Sequence, residues 1–393
     1  IVTGAPQQYT GFTYGPSGSD QISVPLAVGP LSDAIGVGGL NVSYWRGSFN
    51  TSGISVSYDQ NGVGHVTSAA FPTAAGDSLQ RVVQIIGTSV SDVFDMRNFD
   101  VEANGSRTNI VSVTAGDVVY GNGYTRLELP FYSTYSNLTT SPTSLTLPDF
   151  NRRMVIDLEE GSFEAYTSNV TPTGSSYNFN AWAGAVTFSG VQGLYGSPQD
   201  EIMLGDSRDN FFRTNDGNDF VDGRGGLDVL DFRRQQDAIS VDMAAGIAVG
   251  GSSSDTDEFR RIEKINGTVF ADRYDAREFG SALAVNVGDL GGYNAFAPGG
   301  GDDVVLGNGQ THVTYELTAL ALEVDLAQGY ARARLASDRL ITDDRNIGQD
   351  RLSGVNRVTG SMHADSLTGD AGANLFEGAG GNDTLVGGEG QDI

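Results

Sequence analysis

Four acidic or amide residues near the end of the chain follow one another at intervals of nine, each inside a glycine-rich turn: Asp365, Asn374, Asp383 and Asp392. An apolar residue stands two places after each of the first three. Side-chain oxygens at a fixed interval, together with the carbonyl groups of glycine turns, are the hard ligands that suit Ca²⁺. Thiolate and imidazole, which would favour zinc, are absent from these positions. The spacing therefore predicts a series of calcium sites.

A second run of the same kind spans 195–231. Its acidic residues are interpreted as Asp200, Asp209, Asp219 and Asp228, at intervals of 9, 10 and 9, with Ile202, Phe211, Val221 and Leu230 as their apolar partners. Isolated copies occur around Asp20, Asn41 and Asp303. The predicted metal ligands are the side chains of Asp20, Asp33, Asp200, Asp209, Asp219, Asp228, Asp303, Asp365, Asn374, Asp383 and Asp392, with the glycine turns at Gly217, Gly223, Gly225, Gly378, Gly381, Gly387 and Gly390.

The nine-residue period also predicts how the chain folds. Six turn residues and a three-residue strand make half a coil, so two repeats complete one coil of a flattened right-handed roll. Successive coils stack at about 4.8 Å, which places the oxygens of one turn against those of the turn 18 residues later. The apolar residue of each repeat points inward and forms a thin core. Because the stacked carboxylates repel one another, we expect calcium binding and folding to be one reaction.

These nonapeptides resemble the repeats of the RTX (hemolysin-type calcium-binding) family, whose pattern is G-G-x-G-x-D-x-U-x. The resemblance covers most of residues 15–393 and implies export by a type I secretion system, with folding in the calcium-rich exterior. In the turns at 121–129 and 307–315, Arg126 and His312 replace the acid. Metal sites are therefore expected in 195–231 and 360–393 rather than around 87–129 and 267–312.

A longer period contains the nonapeptide runs. A V-D-L-A-x-G-like segment recurs at 155–161, 240–246 and 323–329, and a second block recurs at 77–87, 257–267 and 350–360. We expect the repeated Asp157, Asp242 and Asp325 to make turn hydrogen bonds rather than a carboxylate site. The fold is predicted to be all-β, a parallel β-roll or β-solenoid of about four tandem modules with β-rich inserts. The predicted boundaries are 1–40 (tail of a preceding module), 41–130, 131–228, 229–312 and 313–393, the last ending within its repeat run.

Composition narrows the function. The 49 acidic and 23 basic residues give a formal charge of −26, which disfavours nucleic acid and anionic membranes as partners. The chain has no cysteine, and no apolar stretch approaches the roughly 18 residues of a membrane span. No G-x-S-x-G, H-E-x-x-H or phosphate-loop motif is present. We therefore expect a secreted protein that is not an enzyme, with both ends interpreted as cut from a longer chain.

Three functions remain open. The first is a calcium-stabilised structural or adhesive protein of a surface layer, adhesin shaft, filament or virion fibre, with other copies of itself or a cell-surface glycan layer as partner. The second is the non-catalytic secretion and folding region of a larger secreted hydrolase, lyase or epimerase. The third is a glycan-binding module that uses the inserts between the repeats.

Overall fold

The computed structural model of the protein describes most of the chain after residue 52. The described residues are 12–13, 21–23, 40–43, 53–68, 77–80, 82–88, 90–99, 107–114, 116–129, 154–168, 179–181, 186–198, 200–250, 255–334 and 347–393. Two predicted ligands, Asp20 and Asp33, lie outside these residues. The chain divides into two compact units, Ile1–Leu204 and Gly205–Ile393. The division into four modules stays a prediction.

Every regular element in the described ranges is a β-strand. The first unit contains β1 (Phe12–Thr13), β2 (Gln21–Ser23), β3 (Leu40–Ser43), β4 (Ile54–Tyr58), β5 (Gly64–Ser68), β6 (Asp77–Gln80), β7 (Val82–Ile86), β8 (Val93–Asp95), β9 (Asn109–Ser112), β10 (Val118–Glu128), β11 (Met154–Asp157), β12 (Ser162–Ser168), β13 (Phe179–Ala181), β14 (Val186–Tyr195) and β15 (Glu201–Leu204). The all-β prediction is confirmed for this described part.

The second unit contains the remaining strands. These are β16 (Phe211–Arg213), β17 (Phe220–Asp222), β18 (Val229–Asp231), β19 (Ile239–Asp242), β20 (Ile247–Gly250), β21 (Asp255–Arg260), β22 (Lys264–Asn266), β23 (Arg273–Asp275), β24 (Asn294–Ala297), β25 (Val304–Thr314), β26 (Leu322–Asp325), β27 (Tyr330–Ala333), β28 (Gln349–Thr359), β29 (Ser366–Thr368), β30 (Leu375–Glu377) and β31 (Thr384–Val386). Within the described residues, no helix is long and apolar enough to cross a membrane.

The short strands of the repeats pair in parallel with strands of later repeats. In the second unit these pairs are β16–β18, β18–β22, β22–β24, β28–β30 and β29–β31. Each six-residue turn reverses the chain direction, so a strand and the strand two repeats later run the same way. The pairing of Ser366 with Thr384 joins residues 18 apart, as the nonapeptide period predicts.

Two columns of inward-facing apolar side chains form the core between these strands. One consists of six fully buried residues in parallel register: Phe212, Leu230, Ile265, Phe296, Val313 and Val358. The other includes the buried Val241, Tyr274, Val305 and Leu352 on the second set of parallel strands. The burial of each such side chain contributes about 1.5–3 kcal/mol. The core along the repeats is thin, so the turns must contribute to stability as well.

Antiparallel hairpins interrupt the parallel strands. One consists of β19 and β20, and β20 also pairs with β21. Asp242 stands at its turn and accepts a hydrogen bond from the Ala245 N–H at 2.9 Å. Asp157 and Asp325 accept equivalent bonds from the N–H groups of Glu160 and Gln328, at 3.1 and 2.9 Å. The prediction that these repeated aspartates make turn hydrogen bonds is confirmed.

Candidate metal sites

The run at 195–231 has a different register from the predicted one. Asp209 is exposed and Asp200 is only half-buried, whereas their neighbours Glu201 and Asn210 are 0% and 2% exposed. We call the sixth residue of each nine-residue repeat the acid position. In this run it is occupied by Glu201, Asn210, Asp219 and Asp228. The structure thus corrects the predicted interval of ten, and the interval is nine throughout.

The signal that identifies the correct register is the uniform period itself. Met203 and Phe212, two places after Glu201 and Asn210, are completely buried. A sequence interpretation that favoured aspartate over glutamate and asparagine missed this alignment. Asp200 and Asp209 as metal ligands stay predictions, and the side chain of Asp209 already accepts a hydrogen bond from the Leu227 N–H at 2.8 Å.

The C-terminal run has the predicted register. Asp365 and Asn374 are buried, at 0% and 3% exposure, while Asp383 is half-buried and Asp392 is exposed. The fully buried Asp303, predicted as an isolated copy, also occupies an acid position. The burial of a carboxylate without a partner costs free energy, so each of these buried acids needs hydrogen bonds or a bound cation.

Turns that lie 18 residues apart stack in pairs, joined by one recurring hydrogen bond. The backbone N–H at the acid position of the first turn donates to Oδ1 of the acid in the second turn. This bond joins Asn210 to Asp228 at 2.7 Å, Asp365 to Asp383 at 2.9 Å and Asn374 to Asp392 at 3.0 Å. We call this arrangement a turn pair, whose first turn supplies the N–H. The turn pair places two acid positions against each other, as stacked coils require.

In the first turn of each pair, the residue four places before the acid position donates hydrogen bonds to the side chain at that position. Ser361 donates its N–H to Oδ2 of Asp365 at 2.6 Å and its hydroxyl to Oδ1 at 2.9 Å. The N–H groups of Asp206 and Asp370 donate to the Oδ1 atoms of Asn210 and Asn374, each at 2.8 Å. Protein hydrogen bonds therefore hold the first turns.

The second turn of each pair has a left-handed backbone at two places. At the position four residues before the acid, φ is 65° at Arg224, 63° at Ala379 and 95° at Gly388. At the position two residues before the acid, φ is 119° at Gly226, 104° at Gly381 and 119° at Gly390. A non-glycine residue in this region costs of order 1–3 kcal/mol and persists only where its surroundings impose it. Strain is therefore stored at Arg224 and Ala379, whereas the glycines at these places, which include the predicted Gly381 and Gly390, adopt the same angles without strain.

Hydrogen bonds to the first turn hold this strained backbone. The N–H of Gly225 donates to the carbonyl of Asp206 at 3.0 Å, and the N–H of Gly380 donates to the carbonyl of Ser361 at 3.1 Å. Gly217, two residues before Asp219, has φ of 108° and donates to Oδ2 of Asp255 at 3.1 Å. The predicted Gly217 and Gly225 therefore shape the turns through their N–H groups.

The glycines that open the repeats leave space for a carboxylate oxygen. A Cβ atom at Gly223, Gly378 or Gly387 would overlap Oδ2 of the acid five residues later, which is Asp228, Asp383 or Asp392 respectively. The carboxylate thus folds back over the start of its own turn. Glycine is required at these three positions because any side chain would displace the acid.

Asp228 and Asp303 each have an oxygen that no described protein group satisfies. Within the part of the chain that the structure describes, Oδ2 of Asp228 and Oδ2 of Asp303 are buried without a hydrogen-bond partner. Burial raises the pKa of Asp228 to about 9, and burial together with the nearby Asp350 raises the pKa of Asp303 to about 10. A bound cation would stabilise the ionised form of both groups. The orphaned oxygens therefore fit a metal.

The donor set also indicates the kind of metal. Among the described residues, no group of three or more His, Cys, Asp and Glu side chains is arranged around a common point. A cation at a turn pair must therefore take backbone carbonyl oxygens in addition to carboxylates. Ca²⁺ accepts such mixed oxygen ligands in flexible geometry, whereas Mg²⁺ demands a near-ideal octahedron. Asp228, Asp303 and, by their turn geometry, Asp383 and Asp392 are the residues suited to hold it.

The turn pairs and buried acids define an all-β repeat protein whose candidate metal sites offer only oxygen ligands. The sequence model of the RTX calcium-binding nonapeptide repeat matches in four copies, over residues 195–237 and 359–393. The chain thus carries repeats of the RTX calcium-binding family, and Ca²⁺ is the ion that these repeats bind. No curated protein matches the chain. The matched segments contain the three turn pairs described above.

The turns in which Arg126 and His312 replace an acid are held differently. The Asn308 side chain donates to the carbonyls of Phe279 and Gly292, at 2.9 and 2.7 Å, and so fastens the insert at 277–297. Asn122 makes two equivalent bonds in the first unit. A side-chain amide thus anchors the backbone of these turns, and the prediction that they bind no calcium stays a prediction.

His312 itself is engaged by the protein. Its Nδ1 and Nε2 atoms lie 3.2 Å from the Tyr293 hydroxyl and 2.9 Å from the Thr359 hydroxyl. Burial, with the positive charges of Arg357 and Lys264, lowers the pKa of His312 to about 4. The ring is therefore neutral at physiological pH, and both of its nitrogens are used within the fold.

Replacement of Gly223 by alanine is expected to destabilise the second unit by at least the 1–3 kcal/mol typical of overpacking. The new Cβ would overlap both Oδ2 of Asp228 and the backbone carbonyl of Arg261, and the carbonyl cannot move without displacing a strand. Urea denaturation at a fixed calcium concentration measures the loss, and calorimetric titration measures the accompanying drop in calcium affinity.

Gly225→Ala is the matched control for that change. Its Cβ would lie 3.3 Å from Oδ2 of Asp289, the end of a flexible side chain, with no closer atom. We expect stability within about 1 kcal/mol of the wild type, since alanine also restricts the unfolded chain. Equal losses for the two variants would contradict the role assigned to the opening glycine.

Proposed function

We propose that the protein is a calcium-stabilised structural or adhesive repeat protein of a surface layer, adhesin shaft, filament or virion fibre, and that it is not an enzyme. The observation that carries the proposal is the turn pair, which recurs in both matched segments and joins turns that lie two repeats apart. In this proposal the repeats form a parallel β-roll in which bound Ca²⁺ offsets the repulsion among stacked acids. RTX repeats are typical of secreted proteins, which supports a location outside the cell and export by type I secretion.

An exposed apolar segment supports contact with other molecules. It carries four apolar side chains that are more than half exposed: Leu283 (89%), Val285 (56%), Val287 (52%) and Leu290 (55%). Asn286, between them, is buried and pairs with the backbone of Ile262, accepting its N–H at 3.1 Å and donating to its carbonyl at 3.0 Å. Apolar side chains held outward in this way are typical of association surfaces.

The test of this proposal is calcium-dependent assembly. Sedimentation of the wild type is compared, with calcium and with EGTA, against the combined variant Leu283→Ser, Val285→Ser and Val287→Ser. We expect the wild type to self-associate or to bind a cell-surface fraction only with calcium, and the variant to lose this behaviour while it still binds calcium.

The runner-up function gives a different result in the same experiment. A non-catalytic region of a larger secreted hydrolase, lyase or epimerase would fold with calcium, remain monomeric and bind no cell surface. That outcome, with wild type and variant alike, would contradict a structural or adhesive role. Retention of polysaccharide by the calcium-loaded monomer would instead favour the glycan-binding module.

A further inference from the structure

Three basic residues form a row on the outer face of parallel strands in the second unit. Lys264 on β22 pairs with Ala295 on β24. Ala295 pairs in turn with His312 on β25, which pairs with Arg357 on β28. Successive side chains of a strand point to opposite faces of its sheet, and the residue after each basic one is fully buried in the core: Ile265, Val313 and Val358. Lys264, His312 and Arg357 therefore point outward, and we call them the basic row.

Arg357 is the member of the row that lacks an anionic partner. The residue is half-buried, its guanidinium carbon lies 5.5 Å from the centre of the Tyr293 ring, and its Nε atom is buried without a hydrogen-bond partner among the described residues. No described carboxylate forms an ion pair with it, including Glu377 on the neighbouring strand β30. Arg213, by contrast, is paired with Asp231. A guanidinium in this state is suited to accept a carboxylate from another molecule.

The potential around the basic row is positive, although the chain as a whole is strongly acidic. Burial and the positive charges of Arg357 and Lys264 lower the pKa of His312 to about 4. The chain carries 49 acidic and 23 basic residues, so two copies repel each other over most of their surfaces. The basic row is therefore a place at which the acidic surface of another copy is attracted.

The basic row adjoins the exposed apolar segment. The Tyr293 N–H donates to the Leu290 carbonyl at 3.3 Å, and the Tyr293 hydroxyl lies 3.2 Å from Nδ1 of His312. Tyr293 therefore joins the apolar segment to the row. Protein interfaces commonly combine apolar side chains at their centre with charged groups that fix the orientation of the partner. The two features together have the composition of one association surface.

We propose that the basic row is a docking site for a second copy of this chain, in which Arg357 receives an Asp or Glu carboxylate of the other copy beside the apolar segment. This inference rests on the self-association included in the proposed function and names the residues that orient it. A second copy fits both parts of the surface, because it supplies many carboxylates and an apolar segment of its own. An acidic polysaccharide would supply carboxylates but no apolar side chains to cover Leu283 and Val285.

Sedimentation equilibrium in saturating calcium compares the wild type with Arg357→Gln and Arg351→Gln. Arg351 is the matched control, since it is exposed and lies on the same strand but pairs with Val304 in the other set of parallel strands. We expect Arg357→Gln to raise the dissociation constant of the dimer at least tenfold and Arg351→Gln to change it less than twofold. Salt at about 1 M, where the screening length is about 3 Å, should remove the difference between Arg357→Gln and the wild type. Equal dissociation constants for the three folded, calcium-loaded proteins would overturn the proposal.

Lys264 provides a second measurement, because it is the only lysine of the chain. A carbodiimide joins the lysine amine to a carboxylate in contact with it, with loss of water. A mixture of ¹⁴N- and ¹⁵N-labelled protein distinguishes links between two copies from links within one copy by mass spectrometry. In calcium we expect links from Lys264 to an Asp or Glu of the other copy. Lys264→Arg, which keeps the positive charge, should remove these links without weakening association.

The outcomes separate this docking site from the proposed function. If the copies associate but Lys264 links only within one copy, the docking site is wrong while self-association survives. If the protein stays monomeric but binds a cell-surface fraction, the adhesive role stands and the docking site is wrong. If it does neither, the proposed function fails as well. Retention of a uronate polysaccharide that Arg357→Gln abolishes would assign the basic row to a glycan and overturn a second copy as its occupant.

Discussion

Chelation of calcium is expected to abolish the strand signal of the second unit in far-UV circular dichroism at neutral pH. Without the ion, burial raises the pKa of Asp228 to about 9 and that of Asp303 to about 10, so each carboxyl must take up a proton to fold at neutral pH. The same carboxyls are ionised in the unfolded chain, so each proton uptake lowers the free energy of unfolding. Globular proteins are stable by only about 5–15 kcal/mol, and the core between the repeats is thin. The loss of several ions therefore exceeds what that core can offset.

The first unit provides an internal comparison in the same experiment. Its buried Asp92 accepts hydrogen bonds from Thr88 and Ile54, and both oxygens of Asp117 accept backbone N–H groups. We therefore expect its unfolding transition to shift less with EGTA than that of the second unit. Readdition of Ca²⁺ should restore the spectrum, whereas Mg²⁺ should not. A spectrum that EGTA leaves unchanged would rule out calcium as the ion that stabilises the turns.

Asp231→Asn is expected to cost the second unit about 3–5 kcal/mol, the usual consequence of breaking a buried ion pair. Asp231 is 0% exposed and Arg213 is 2% exposed, and their oxygen and nitrogen atoms approach to 2.6 Å. Arg233 contacts the other oxygen at 2.5 Å. Burial alone would raise the pKa of Asp231, but Arg233 and Arg213 hold it below its usual value. The variant leaves Arg213 buried without a counter-charge.

Asp275→Asn provides the matched control for this change. Asp275 also ends a strand and pairs with two arginines, Arg273 and Arg277, but these arginines are about half exposed. Exposed ion pairs contribute about 0–1 kcal/mol, so little loss is expected. Urea denaturation in saturating calcium measures both variants with bound metal held constant. A loss below 1 kcal/mol for Asp231→Asn would show that the buried pair does not stabilise the unit.

The sequence predicted the C-terminal repeats well because glycine and aspartate there follow the period strictly. Asp365, Asn374 and Asp383 stand where the nonapeptide pattern places them, and β29, β30 and β31 begin immediately after them. The run at 195–231 was harder, since Asp200 and Asp209 lie next to the true acid positions. The two registers differ only in which side chains face the core, and residue type alone does not show which side chains these are.

The contacts that the inserts make with the repeats could not be predicted from the sequence. Asp272 and Asp350, which are buried, were not recognised in the sequence as acid positions. Gly267-Thr268 followed by Asp272 nevertheless repeats the pattern of Gly360-Ser361 followed by Asp365. The role of Asn308 depends on two carbonyls in a segment with no repeat character. Such long-range hydrogen bonds leave no periodic pattern in the sequence, so only the folded structure shows them.

The two hydrogen bonds of a turn pair join turns that are 18 residues apart at Asp365 and Asp383 and 31 residues apart at Asp272 and Asp303. The geometry of a stacked turn is therefore independent of the length of chain that leads to it. Mutation and recombination can lengthen or exchange the excursion between two turns while the ion-binding geometry is inherited unchanged. An array of this kind could diversify its outer loops in evolution at little cost to folding, much as antibodies vary loops on a constant framework.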